Sequence, residues 1–192
     1  VLWKPSASAV YSNFIVYRIL QEAGLPPGVI QFLPGRPENV VQPALKNTNF
    51  GGIHFTGSTG VFQNLWQDIA TNLPKYRSYP RLVGETGGKN FHFIHESAHV
   101  ASAVNHTIRG AFEYQGQKCS ATSQLFVPDT IWTEFKDLLV TKMAQIKQAA
   151  PQDDLSAFSG PVINKSAYDK IKGFIDSGRQ EGGKIIFGGS CD

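Results

Sequence analysis

Apolar and polar positions in this chain follow two alternating rhythms, short runs with the step of a strand and longer runs with the step of a helix. Residues 1–3 open as an apolar strand, Lys4-Pro5-Ser6 breaks it, and Val16, Ile19, Leu20 and Ala23 then recur at i, i+3, i+4, i+7. That spacing predicts a helix over about residues 8–23 with those four as its buried face. Gly24 and Pro26-Pro27-Gly28 end it, and residues 29–33 predict a second short strand. A weak helix over 37–45, a strand over 52–55 and a helix over 61–73 follow, the last apolar only on the side of Leu65 and Ile69, with Asp68 and Asn72 beside them.

Strands over 81–84 and 91–94 flank Gly87-Gly88, and a helix from about 97 to 114 comes next. Beyond it the pattern gives a strand over 123–127, then a helix over 130–148 with Phe135, Leu138, Leu139 and Ile146 on one side. A polar connector over 151–161, a helix over 165–181 and a last strand over 184–187 complete the chain. Strands alternating with helices predict an α/β protein with parallel strands. The sequence contains no internal repeat and no low-complexity segment.

Composition narrows the function more than the fold. With 41% hydrophobic and 17% charged residues the chain has the proportions of a globular protein, and no apolar run approaches the roughly 18 residues of a membrane helix. Its 18 Lys and Arg against 15 Asp and Glu are scattered, so no basic stripe points to nucleic acid. Two cysteines, Cys119 and Cys191, make no disulfide framework and suit a reducing compartment; Cys191, near the end, is expected to have no role. The first residues, Val-Leu-Trp-Lys-Pro, carry no initiating Met or targeting segment, and the chain reads as a piece of something longer.

Cys119 is the candidate nucleophile, set after a glycine turn at the end of a helical run in FEYQGQKCSA. A cysteine alone serves equally well as small apolar filler. Glu85, at a strand end before Gly87-Gly88, is the candidate base, and partial burial would raise its pKa and suit it to proton abstraction; a solvated loop acid is the plain alternative. Phe55-Thr56-Gly57-Ser58-Thr59-Gly60 runs from a strand into a helix, where free N–H groups and the helix dipole favour a phosphate, although it lacks both GxGxxG and GK[ST]. Lys4 ends the first strand, on the edge where open α/β sheets bind nucleotides.

A different enzyme is suggested by His95-Glu96-Ser97-Ala98-His99, which matches the zinc-hydrolase pattern HExxH. That chemistry requires the five residues to be helical. Here residues 90–94 alternate as a strand up to His95 and Ser97 is placed to cap the next helix, so no metal site is expected.

Trp3-Lys4-Pro5-Ser6, Phe55-Thr56-Gly57-Ser58, GETGGKN and GQKCS, in that order and spacing, resemble the signatures of the aldehyde dehydrogenase superfamily across nearly the whole chain. GETGGKN with FEYQGQKCSA is most similar to the branch that oxidises glutamate γ-semialdehyde to glutamate with NAD in proline catabolism. The resemblance implies an aldehyde dehydrogenase fold, with residues 1–85 the later part of a Rossmann-like NAD-binding domain and 86–192 the start of the catalytic domain. It implies Cys119 as the nucleophile that forms a thiohemiacetal and then a thioester, its backbone N–H as part of the oxyanion hole, and Glu85 as the activator of water.

For the cofactor the resemblance implies Lys4 at the adenine ribose, Gly57 and Ser58 at the pyrophosphate, and Gly87 and Gly88 where the nicotinamide half approaches. It further implies a small aldehyde substrate, a homo-oligomer, and a mitochondrial-matrix location in a eukaryote or a cytoplasmic one otherwise. Where many members carry a Glu three residues after the ribose lysine, this chain has Ala7, which leaves NAD against NADP open. The family's Pro-Trp-Asn segment, its second cofactor glutamate and its substrate loop fall outside the 192 residues, so the piece alone is expected to be inactive. Two other readings stand beside this one: a non-catalytic nucleotide-binding or interaction protein, and the zinc hydrolase.

Overall fold

A computed structural model describes residues 1–191. The backbone divides into two units, Val1–Thr86 and a second beginning at Gly87.

The first unit runs β1 (Leu2–Trp3), α1 (Val10–Glu22), β2 (Gln31–Phe32), α2 (Pro37–Lys46), β3 (Gly52–Gly57), α3 (Thr59–Asn72) and β4 (Arg81–Thr86). β1 pairs in parallel with β2, and β3 with β4, each pair joined by a helical crossover. The N–H groups of Gln31 and Leu33 donate to the carbonyls of Val1 and Trp3 at 2.8 and 2.9 Å. Alternate residues of a strand direct their polar groups to opposite edges, so Leu2 and Lys4 face away from β2. That edge and β3 border one cleft of about 740 Å³, with the end of α2 as its floor. Leu45, Leu65 and Ile69 form the core, ringed by Ile53, Phe55, Tyr76 and Leu82. The Tyr76 hydroxyl donates to the Leu45 carbonyl at 2.6 Å, which satisfies the polar end of an otherwise apolar ring.

The face of α1 expected to be buried is not. Val16, Ile19 and Leu20 are exposed, and the helix has no fully buried residue. The β1–β2 pair instead takes the aromatic side, with Phe32 stacked on Tyr17 at 5.5 Å and tilted against Phe14 at 5.9 Å. Apolar residues surround α1, so periodicity alone does not say which stripe a two-stranded sheet will cover.

The second unit contains β5 (Asn90–Phe93), α4 (Val100–Phe112), a 3-10 turn (Glu113–Gly116), β6 (Thr122–Phe126), α5 (Asp129–Met143) and α6 (Lys165–Gln180). β5 and β6 are parallel, with a register irregularity between Asn90 and Phe91. Ile94, Ala103, Val104, Phe135 and Leu139 form the core between this sheet, α4 and α5. Thr107, buried in α4, donates to the Ala103 carbonyl at 2.9 Å and meets His92 Nδ1 at 2.9 Å. No helix among the described residues is long and apolar enough to cross a membrane.

Three further expectations are corrected here. Residues 184–187 form no strand: Ile185, Ile186 and Phe187 are partly exposed, and no described strand pairs with them to make a ladder. α5 stops at Met143, which leaves Ile146 outside it. α4 begins at Val100 with His99, not Ser97, as its cap, the His99 Nδ1 accepting from the Ser102 N–H at 3.3 Å.

Candidate active site

The turn that carries Cys119 is assembled from the end of α4. Glu113, one helical turn beyond Arg109, meets that guanidinium at 3.1 Å and accepts from the Lys118 amine at 2.5 Å. The hydrogen bond from Lys118 holds the Glu113 carboxyl below its ordinary range; partial burial opposes the shift and Arg109 adds to it. Between these partners the chain reverses through Tyr114 (φ 55°) and Gln115 (φ 54°), both in the left-handed region, and then Gly116 (φ 65°). Left-handed backbone costs about 1–3 kcal/mol at each non-glycine residue, so the turn depends on its surroundings to persist. A Cβ at Gly116 would lie 2.7 Å from the Ala111 carbonyl, which explains glycine there.

Cys119 follows, its thiol free and exposed. The Asn90 side-chain amide donates to the Cys119 carbonyl at 2.5 Å and to the Ala121 carbonyl at 3.2 Å, tying β5 to the turn. Gly88 belongs to the same cluster, since a Cβ there would lie 3.2 Å from the Cys119 carbonyl and 3.4 Å from the Asn90 amide nitrogen. Gly87 has open space around its Cα. Lys118 is not a free amine beside the thiol but the partner of Glu113.

The other candidate residues lie in the first unit. Register places Glu85 of β4 opposite Thr56, next to the Gly57–Thr86 pair, so the Gly57-Ser58 turn and Glu85 share the carboxyl end of one strand pair. Glu85 is exposed, which corrects the expectation of partial burial; the β3–β4 pair that carries it stands as a two-stranded sheet among the described residues. Ser58 caps α3, its hydroxyl accepting from the Val61 N–H at 3.4 Å. Gly57 has a packing reason of its own, since a Cβ would lie 2.5 Å from the Phe55 ring, which stacks on Phe62. Lys4 is half-buried and donates to the Pro5 carbonyl at 2.6 Å.

The HExxH pentapeptide is a turn. His95 Nδ1 bonds the Ser97 hydroxyl at 2.9 Å while His99 caps α4, so the two imidazoles do not share a helical face. The zinc-hydrolase reading fails on that geometry.

The model of the aldehyde dehydrogenase family matches residues 1–192. The chain belongs to the aldehyde dehydrogenase family. It is 55% identical over 193 residues to a delta-1-pyrroline-5-carboxylate dehydrogenase of Agaricus bisporus, covering 100% of this chain and 35% of that one. It is 45% identical to the mitochondrial delta-1-pyrroline-5-carboxylate dehydrogenase of Homo sapiens, again over all of this chain and 34% of the relative. The chain thus spans about 35% of the length of the curated relatives it matches.

Among solved aldehyde dehydrogenase structures, the Delta-pyrroline-5-carboxylate dehydrogenase of Mycobacterium tuberculosis bound with NAD superposes with a TM-score of 0.93 at 42% identity, over 100% of this chain and 36% of that one. The NAD-bound Thermus 1-pyrroline-5-carboxylate dehydrogenase gives 0.91 at 29% identity, over 99% and 36%. The chain therefore has part of the α/β aldehyde dehydrogenase fold.

Two contributors to the Cys119 turn were not assigned roles from sequence. Glu113 had a visible signal in its i, i+4 spacing from Arg109, the interval that brings side chains together on a helix. Asn90 closes the GETGGKN motif, but nothing there signals its contact with the Cys119 turn, because a register irregularity leaves no mark in the residue pattern.

Proposed function

We propose that this chain is part of an NAD-dependent dehydrogenase that oxidises glutamate γ-semialdehyde to glutamate. In this reading residues 1–85 belong to its cofactor domain and 86–192 to its catalytic domain. The observation that carries the reading is an exposed, unpaired Cys119 thiol on a turn braced from two sides, in a chain of aldehyde dehydrogenase sequence. The substrate follows from the resemblance of GETGGKN and FEYQGQKCSA, the relatives named delta-1-pyrroline-5-carboxylate dehydrogenase support that branch, and the eukaryotic ones named mitochondrial support a matrix location. The whole protein is proposed to be a homo-oligomer.

The first unit fits a dinucleotide. The capped N-terminus of the 14-residue α3 presents backbone N–H groups and the positive end of a helix dipole to a pyrophosphate. Lys4, at the end of β1, supplies an amine suited to a ribose hydroxyl. In the second unit Gly87, where a Cβ would meet nothing, leaves its backbone open to a flat ring.

Cys119 Sγ, as thiolate, bonds to the aldehyde carbon, and the carbonyl π electrons move to oxygen, where the Cys119 backbone N–H donates. Bound NAD would supply the hydride acceptor; the hemithioacetal on Cys119 becomes a thioester as its C–H hydride leaves and the oxygen electrons re-form the carbonyl. Glu85 takes a proton from water as the water oxygen bonds to the acyl carbon, and expulsion of the Cys119 thiolate releases the acid. In the full-length protein, glutamate γ-semialdehyde and NAD should yield NADH, and Cys119→Ala should abolish it. Undiminished turnover in Cys119→Ala would remove the reading.

A further inference from the structure

We propose that Asn90 is a positioning residue for the nucleophile, acting through the backbone of the Cys119 turn; this rests on the role given to Cys119 above. One side-chain amide holds two carbonyls, those of Cys119 at 2.5 Å and Ala121 at 3.2 Å, and thereby fixes both ends of the Cys119-Ser120-Ala121 segment. Residues 29 and 31 positions away in sequence are joined by this single group.

The aim of that amide comes from the sheet. Along β5 and β6 the register steps from Asn90↔Thr122 to Phe91↔Gln124, so one residue of β5 is matched by two of β6. The extra residue, Ser123, lies on β6 two positions after the Ala121 whose carbonyl Asn90 holds, and such irregularities recur beside active sites. Beyond the irregularity the pairs run regularly through Phe93↔Phe126, and the strand enters the core at Ile94, so Asn90 is anchored on a rigid element.

Two features make the contact necessary. Upstream of Cys119 the chain passes through two left-handed non-glycine residues, a conformation that would relax if only the Glu113 pair restrained it. Downstream, a backbone bond runs across the turn from the Ala121 N–H to the Lys118 carbonyl at 3.1 Å, and the Cys119 carbonyl is taken by Asn90. Gly88 completes the arrangement. A side chain there would press on both the Cys119 carbonyl and the Asn90 amide, so its absence lets donor and acceptor meet.

The consequence is kinetic. A nucleophile displaced by a fraction of an ångström still binds substrate but attacks it less often. In the full-length protein Asn90→Ala should lower kcat about tenfold, with KM for the aldehyde and for NAD within about twofold. Asn90→Ser, which keeps one donor, should recover part of the loss.

A readout independent of turnover is the rate of iodoacetamide alkylation at Cys119 as a function of pH, followed by peptide mass spectrometry with Cys191 as the internal reference. Asn90→Ala should shift the Cys119 profile and leave that of Cys191 in place. Wild-type kcat and an unchanged Cys119 profile in Asn90→Ala would overturn the proposal. So would parallel changes at both cysteines with a large fall in melting temperature in Asn90→Ala and Asn90→Ser alike, since that is loss of fold. If Cys119→Ala remains active, the nucleophile assignment falls; if only the Asn90 variants behave as wild type, positioning alone falls.

Discussion

The two units hold their candidate residues by different means. In the first, Gly57, Ser58 and Glu85 sit at the ends of paired strands and at a helix N-terminus, so ladder hydrogen bonds and a cap set their positions. In the second, Cys119 sits on an irregular turn, and polar side chains from neighbouring elements, Asn90 from β5 and Glu113 against Arg109 and Lys118, hold it. A phosphate site needs only backbone in a regular place. The nucleophile proposed at Cys119 must project from the chain at one chosen angle, which regular structure rarely supplies, and the side chains that brace its turn fit that task.

Their packing differs as well. Phe135 and Val104 are fully buried between α4, α5 and the sheet of the second unit, whereas α1 of the first has no buried residue and turns Val16 and Ile19 outward. Phe135→Ala should therefore have the largest effect on stability, about 3–5 kcal/mol, seen as a lower denaturation midpoint. Ile19→Ser is the opposite limit and should lie within about 0.5 kcal/mol of wild type. A large loss from Ile19→Ser would mean that the α1 face is covered after all and would erase the contrast.

Between these limits lies the Glu113 clamp. Its carboxyl pKa is lowered in the folded chain by Lys118, so its stabilising effect is present above the ordinary carboxylate range and is lost as pH falls through the lowered value. Glu113→Gln should thus cost a small amount of stability at neutral pH, and the difference from wild type should vanish in acid. Glu113 and its partners are partly exposed, so high salt should shrink the neutral-pH difference too. A difference independent of pH would remove the charge from the explanation.

The residue pattern carried the alternation of strands and helices because periodicity and punctuation by Gly and Pro are local properties. Leu65 and Ile69 of α3 and Phe135 and Leu139 of α5 are inward as their spacing predicts. It misjudged α1, where Phe14 and Tyr17 compete with Val16, Ile19 and Leu20 for the same small sheet and the larger rings win. It misjudged residues 184–187 because an apolar run becomes a strand only beside another strand. Cys119 was legible from its motif; Asn90 also stands in one, GETGGKN, but its contact was not legible there, since it depends on a one-residue step in the register of β5 and β6.

The division of labour between Cys119 and Glu85 is tested most directly by the first turnover of a Glu85→Gln enzyme. With full-length protein mixed rapidly with glutamate γ-semialdehyde and NAD, the account predicts a burst near one NADH per site, slow turnover afterwards, and an acyl adduct on Cys119 visible by mass spectrometry. Cys119→Ala should show neither burst nor adduct. A Glu85→Gln enzyme without a burst would assign Glu85 to forming the thiolate rather than to activating water, and a burst retained in Cys119→Ala would contradict the account at its centre.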